Sequence, residues 1–381
     1  MNPSEQSGQS GQDTWVNNRP IHPWVAAGQG KIRFGVAQVT AMDDWPAYLE
    51  IVRAAEELGF DSYWTYDHPV FGFDCWTTLS AVAAVTSRMR LGTMTTCVYY
   101  RNPALLARMA ADVDRISNGR LILGLGIGDD THEFEQLGIA APPLSERLQG
   151  LEDAIQIIEG LWQNPTFTYH GKQFHVDGAS AAPGPQQAHV PLMIAGGGER
   201  VTLRQVAQYG DVANMAASVL AGNAFTLDDV RRKYAALKRH CEALGRPYDS
   251  ILRSFLNLVT ILAPTHAQAE AKAATLPPPL RELFRTSTLI ATPDEAIAHY
   301  RGLIDAGAQY FMTSLWGHDL ETVHLLAEQV IPVLNEATEA KNVNDANQME
   351  SASRANDVHD VNATAANAAP AKRSWWPFGR R

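Results

Sequence analysis

The stretch "SRMRLGTMTTCVYYRNPALLARMAADVDRISNGRLILGLGIG" (87–128) reads as strand, helix, strand. Its first part, "RLGTMTTCV" (90–98), is rich in β-branched and apolar residues, as a strand requires. "NPALLARMAADVDRIS" (102–117) is the helix. "RLILGLGIG" (120–128) is an unbroken apolar run, the pattern of a strand buried on both faces of a parallel sheet.

The same alternation extends both ways. Upstream lie the strand "KIRFGVAQV" (31–39), the helix "WPAYLEIVRAAEELG" (45–59), the strand "SYWTYD" (62–67) and the helix "TTLSAVAAVTS" (77–87). In the first helix Tyr48, Leu49, Val52, Ala55 and Leu58 share a face, Asp44 is placed to cap the start, and Gly59 ends it. Downstream come a long amphipathic helix (145–162) with Leu148, Leu151, Ile155, Ile158 and Leu161 inward, then strands at 191–197, 212–217, 253–263 and 310–316. Helices at 199–210, 227–245, 292–307 and 320–337 follow those strands. "TFTYHGKQFHV" (166–176) interrupts the pattern as a hairpin around His170-Gly171.

About eight βα units predict a (β/α)8 TIM barrel with insertions, in preference to an open doubly wound sheet of unusual width. The barrel is expected over 31–338. Residues 1–30 are expected to be a largely disordered extension, with "WVNNRPIHPWV" (15–25) apolar enough to pack, and 339–381 a disordered tail ending in "RSWWPFGRR".

The chain has 381 residues, 45% hydrophobic and 19% charged, which is ordinary globular composition. A formal net charge of -10 argues against nucleic acid as a partner, since phosphate backbones are held by Lys and Arg. The spacing of Cys75, Cys97 and Cys241 is neither a zinc pattern nor a disulfide framework, so reduced thiols and a cytoplasmic location are expected. "MNPSEQSGQSGQD" is not a signal peptide, and no run is long and apolar enough to span a membrane.

In a barrel of this kind the site lies at the C-terminal ends of the strands. Asp67-His68 ends the second strand; the imidazole is a proton donor or acceptor near neutral pH, and an adjacent carboxylate is placed to orient it. The competing reading is a loop cap beside a satisfied polar side chain. Small and hydroxyl-bearing residues end the third strand at "GTMTTCV". Gly124, Gly126 and Gly128 fall on one face of the fourth strand, and Asp129, Asp130, His132 and Glu133 crowd the loop after it. Those acids lack metal-ligand spacing, so no metal is expected. Gly196, Gly197 and Gly198 precede a helix, where bare amides and the helix dipole suit a phosphate.

Taken together, these residues resemble the luciferase-like oxidoreductases, the superfamily of bacterial luciferase and the deazaflavin (F-420)-dependent dehydrogenases and reductases. The resemblance runs from about Lys31 to about Ala337 and rests on "AAEELGFDSYWTYDH" (54–68), the 87–128 stretch, "HEFEQLGI" (132–139), "SERLQGLEDAIQIIEGLW" (145–162) and "PLMIAGGGERVTLRQVAQYGDVANM" (191–215). It implies catalysis at His68 and Asp129. It implies cofactor contacts from Asp67, His132, Thr96 and the Met94-Thr95 pair, the last as a cis-peptide bulge behind the ring. It also implies a phosphate cradle at glycines 196–198. The residue types at Asp129 and His132 differ from those of the glucose-6-phosphate dehydrogenase members, which argues against that substrate. The implied activity is hydride transfer between F-420 and a small organic substrate, in a homodimer. The alternatives are an FMN-dependent monooxygenase served by a separate flavin reductase, or a flavin-binding protein without catalysis. Phe71, Phe73, Trp76, Tyr99, Tyr100 and Trp316 are candidate substrate walls.

Overall fold

The computed structural model describes residues 19–38, 44–70, 72–128, 130–219 and 222–339. Eight parallel strands form the centre: β1 Arg33–Gln38, β2 Ser62–Thr65, β3 Arg90–Thr93, β4 Leu121–Gly126, β5 Leu192–Ala195, β6 Val212–Ala216, β7 Leu252–Leu262 and β8 Tyr310–Leu315. Each pairs with the next, and β8 pairs with β1 in the register Arg33↔Tyr310 to Gln38↔Leu315, so the sheet closes into a barrel. Helices flank the strands in the predicted order. Asp44 caps the first long helix by accepting from the Ala47 amide, and Gly59 follows it at φ +84°. No helix among the described residues is long and apolar enough to cross a membrane.

The barrel interior is a packed core. Trp64 on β2 is fully buried there, and it fits because Gly35 and Gly92 flank it: a Cβ at Gly92 would come within 2.2 Å of the Trp64 ring. Ile122, Met193, Leu256 and Met312 complete the interior layers.

From Arg19 onward the N-terminal segment belongs to this packing. A short helix, Pro23–Ala27, buries Trp24 and Val25. The Trp24 ring packs edge-on against Tyr310 at 5.6 Å, and its indole N–H donates to Asp61 at 3.0 Å. Together they close the N-terminal mouth of the barrel. Of the expected N-terminal extension, residues 1–18 lie outside the described residues, as does all of the 339–381 tail but residue 339.

Arg19 anchors the segment in a buried ionic cluster. Its guanidinium lies 3.0 Å from Asp211 and 3.3 Å from Glu159, and His189 meets Asp211 at 2.9 Å. Burial raises the Glu159 carboxyl to about 7; Asp211 adds to the shift and Arg19 opposes it. This has a consequence for pH. Below the unfolded value of 4.5 both states hold the proton, and Glu159 contributes nothing to the pH dependence. Between 4.5 and about 7 the unfolded chain loses the proton while the folded chain keeps it, so stability falls as pH rises. Glu159→Gln is expected to remove this slope and to be about 1–3 kcal/mol more stable than the parent at about pH 8. Urea unfolding of both proteins at about pH 5 and about pH 8 checks it; parallel pH dependences would contradict it.

Two insertions decorate the barrel. The predicted hairpin is present as Phe167–His170 paired with His175–Ala179. Between β7 and its returning helix, helices His266–Ala273 and Pro278–Leu283 and the strand Thr288–Ala291 form an unpredicted insertion beside the C-terminal half of β7.

Candidate active site

Beyond the end of β2 the chain continues as Tyr66, Asp67 and His68. Tyr66 bonds the hydroxyl of Ser314 on β8, and its ring lies roughly parallel to His68 at 6.2 Å. His68 is thereby set at the C-terminal mouth, its side chain one-third exposed at 33%.

Its carboxylate partner is Glu133. His68 Nδ1 lies 3.0 Å from Glu133 Oε2, and the Tyr100 hydroxyl donates to the same oxygen at 2.8 Å. Glu133 is 2% exposed. Burial acts to raise its pKa, but the hydrogen bonds from His68 and Tyr100 prevail and hold the carboxyl below its ordinary value. An ionised carboxylate accepts only, so His68 Nδ1 carries a proton, and a ring that holds no second proton has its acceptor at Nε2.

Asp67 does a different job from the one expected of it. Its buried carboxylate receives Arg101 Nη1 at 2.8 and 2.7 Å, the Cys97 amide at 3.0 Å and the Cys75 thiol at 3.3 Å. These bonds tie the end of β2 to the segment after β3. Asp67, Asp74 and Cys75 cluster closely enough to suggest a cation, but Arg101 already ion-pairs both acids.

That segment is a bulge. β3 stops at Thr93, the Met94–Thr95 peptide is cis, and pairing resumes with Thr96 opposite Leu125. Glycines on β4 make the room: a Cβ at Gly124 would lie 1.8 Å from the Thr93 carbonyl oxygen, and one at Gly126 would lie 2.3 Å from Thr95 Oγ1. Thr96 is fully buried, and its hydroxyl has no partner among the described residues.

The acidic loop after β4 is a one-turn helix, Thr131–Gln136, capped by Asp130. Glu133 and Phe134 face inward. His132 faces solvent at 69% exposure, near Glu135 and Gln136, so the structure does not bring it to His68. Asp129 lies outside the described residues. The sequence reading named Glu133 only as one acid of a crowded loop. No local signal singles it out, since Glu135 flanks Phe134 equally and faces solvent at 76% exposure. Among the candidate walls Tyr100 joins the site through Glu133, Trp76 is buried in the core, and Phe71 lies outside the described residues.

Across the mouth, β5 ends in the glycine turn. Gly196 adopts φ +127°, and a Cβ on Gly197 would lie 2.2 Å from the Gly222 carbonyl oxygen. No side chain fits there, so a ligand meets bare backbone. The amides of Gly198, Glu199 and Arg200 donate to no acceptor among the described residues, and helix Thr202–Tyr209 begins directly after them. Unpaired amides at a helix start fit an anionic group such as a cofactor phosphate.

Residues 30–331 match the luciferase-like monooxygenase family, and the chain belongs to it, hence to the oxidoreductases. An F-420-dependent glucose-6-phosphate dehydrogenase from Amycolatopsis mediterranei is 28% identical over 75% of this chain and 93% of its own length. A pyrimidine monooxygenase from Allorhizobium ampelinum is 28% identical over 59% of this chain and 58% of its own length. Among solved structures, an F-420-dependent secondary alcohol dehydrogenase superposes with a TM-score of 0.68 at 20% identity, covering 80% of this chain and 99% of that one. The EDTA monooxygenase of a Chelativorans species reaches 0.66 at 16% identity, over 81% and 94%. These two likenesses show the barrel fold.

Proposed function

We propose that the protein is an F-420-dependent oxidoreductase that transfers a hydride to or from a small organic substrate, an alcohol in one direction and a carbonyl compound in the other. The observation that carries this is His68 at the barrel mouth with Nδ1 held by the buried, ionised Glu133. Similarity to F-420-dependent dehydrogenases over 75% and 74% of this chain, and 93% and 90% of theirs, supports it. When bound, the deazaflavin supplies the hydride acceptor or donor.

The chain's own residues handle the rest. Oxidising an alcohol to a carbonyl releases one proton along with the hydride. His68 Nε2 takes that proton from the substrate hydroxyl, and the reverse reaction returns it. Glu133 stabilises the imidazolium so formed and fixes its tautomer, while Tyr100 fixes Glu133. The amides after Gly197 would hold the cofactor's anionic group. The Met94–Thr95 bulge, anchored through Cys97 and Asp67, would form a wall of the ring site. A homodimer in the cytoplasm belongs to the same proposal.

The test is an anaerobic assay of the purified protein with oxidised F-420 and a panel of primary and secondary alcohols. Loss of the cofactor's visible absorbance without oxygen is the expected result. Turnover seen only with reduced FMN and oxygen would overturn the proposal in favour of a monooxygenase.

A further inference from the structure

The glycine turn is gripped from behind by one helix, Leu227–Leu244. Lys233, only 5% exposed, donates from Nζ to the Gly197 carbonyl at 2.7 Å. His240 Nε2 meets the Glu199 carbonyl at 2.7 Å, and because a carbonyl only accepts, that nitrogen carries the proton. Arg232 holds the Glu199 side chain at 2.9 Å.

Peptide geometry turns these contacts into a directional device. The peptides here are trans, the only cis bonds among the described residues being Met94–Thr95 and Ala182–Pro183. In a trans peptide the carbonyl and the following N–H point in opposite directions. Drawing the carbonyls of Gly197 and Glu199 toward the outer helix therefore aims the amides of Gly198 and Arg200 away from it. Those amides have no acceptor among the described residues. A buried ammonium is also an expensive way to satisfy one carbonyl, since an apolar side chain would fill the space without desolvating a charge. The Glu199 carboxylate, 3.9 Å from Nζ, offsets part of that charge, and an anion above the turn would use the remainder.

We infer that Lys233 and His240 are positioning residues for the phosphate of the bound cofactor, orienting the Gly198 and Arg200 amides toward it, with Lys233 adding charge. The inference rests on the cofactor reading above. It concerns the phosphate, which F-420 and FMN share.

The test compares dissociation constants, by fluorescence quenching, for F-420 and for the deazaflavin that carries the ribityl chain without its phosphate. Lys233→Met is expected to weaken F-420 binding about 10- to 100-fold and to leave the phosphate-free compound within about twofold. Lys233→Gln, which keeps a donor without the charge, is expected to recover part of that loss. His240→Phe is expected to weaken F-420 about 3- to 10-fold. Equal weakening of both ligands, or of neither, would overturn the inference. Should Lys233→Met fail to fold, Lys233→Gln and His240→Phe carry the same comparison. Should the parent protein bind neither deazaflavin, the F-420 reading fails, and FMN against riboflavin then decides the positioning role by the same criterion.

Discussion

Glu133→Gln is expected to lower kcat by about 10²–10⁴-fold while leaving the cofactor dissociation constant within about threefold. Glutamine keeps the size of the side chain but removes its charge. The imidazolium that forms on His68 then loses its counterion. The amide also presents a donor as well as an acceptor, so the His68 tautomer protonated at Nδ1 is no longer enforced. His68→Gln is expected to fall in the same range, and the double variant little further, because the two residues act as one unit. Single-turnover kinetics with separate measurement of cofactor binding checks this. An unchanged kcat in Glu133→Gln would remove the pair from the chemistry.

Asp67→Ala is expected to act on stability, by about 2–4 kcal/mol, because it leaves the largely buried Arg101 guanidinium with only the half-exposed Asp74 as its carboxylate and the Cys97 amide without that acceptor. The midpoint of urea unfolding should fall accordingly, and what folded protein remains should bind substrate with a loosened bulge. Asp67→Asn, which retains acceptor capacity, should lose less. A stable Asp67→Ala protein with kcat abolished would contradict this assignment and restore Asp67 as the partner of His68.

Asp67 and Glu133 show where the sequence was readable. Strand and helix order followed from apolar runs such as 120–128 and from the spacing of Leu151, Ile155 and Ile158, because burial in a parallel barrel writes itself into local pattern. The position of His68 followed from the rule that barrel sites lie at strand ends. The partner of His68 did not, because adjacency in sequence reverses side-chain direction along an extended chain: Asp67 and His68 point to opposite sides. Glu133 reaches His68 across a gap of 65 positions, and no local pattern encodes that contact. The glycines of β4 were visible, but their reason lies in the Thr93 and Thr95 atoms of a neighbouring strand. The Pro23–Ala27 helix was hidden for a similar cause, being too short for periodicity and held by Asp61 and Tyr310. The helices at 266–283 pack mostly small and exposed residues, so they carry little amphipathic signal.

The central claim, deazaflavin chemistry at this mouth, is tested most directly by titrating the purified apoprotein with F-420 and, separately, with FMN, following fluorescence quenching. The account predicts saturable, tight binding of F-420 and much weaker binding of FMN. Tight FMN binding with weak or absent F-420 binding would contradict it, and would turn the search toward a partner reductase and oxygen-dependent products.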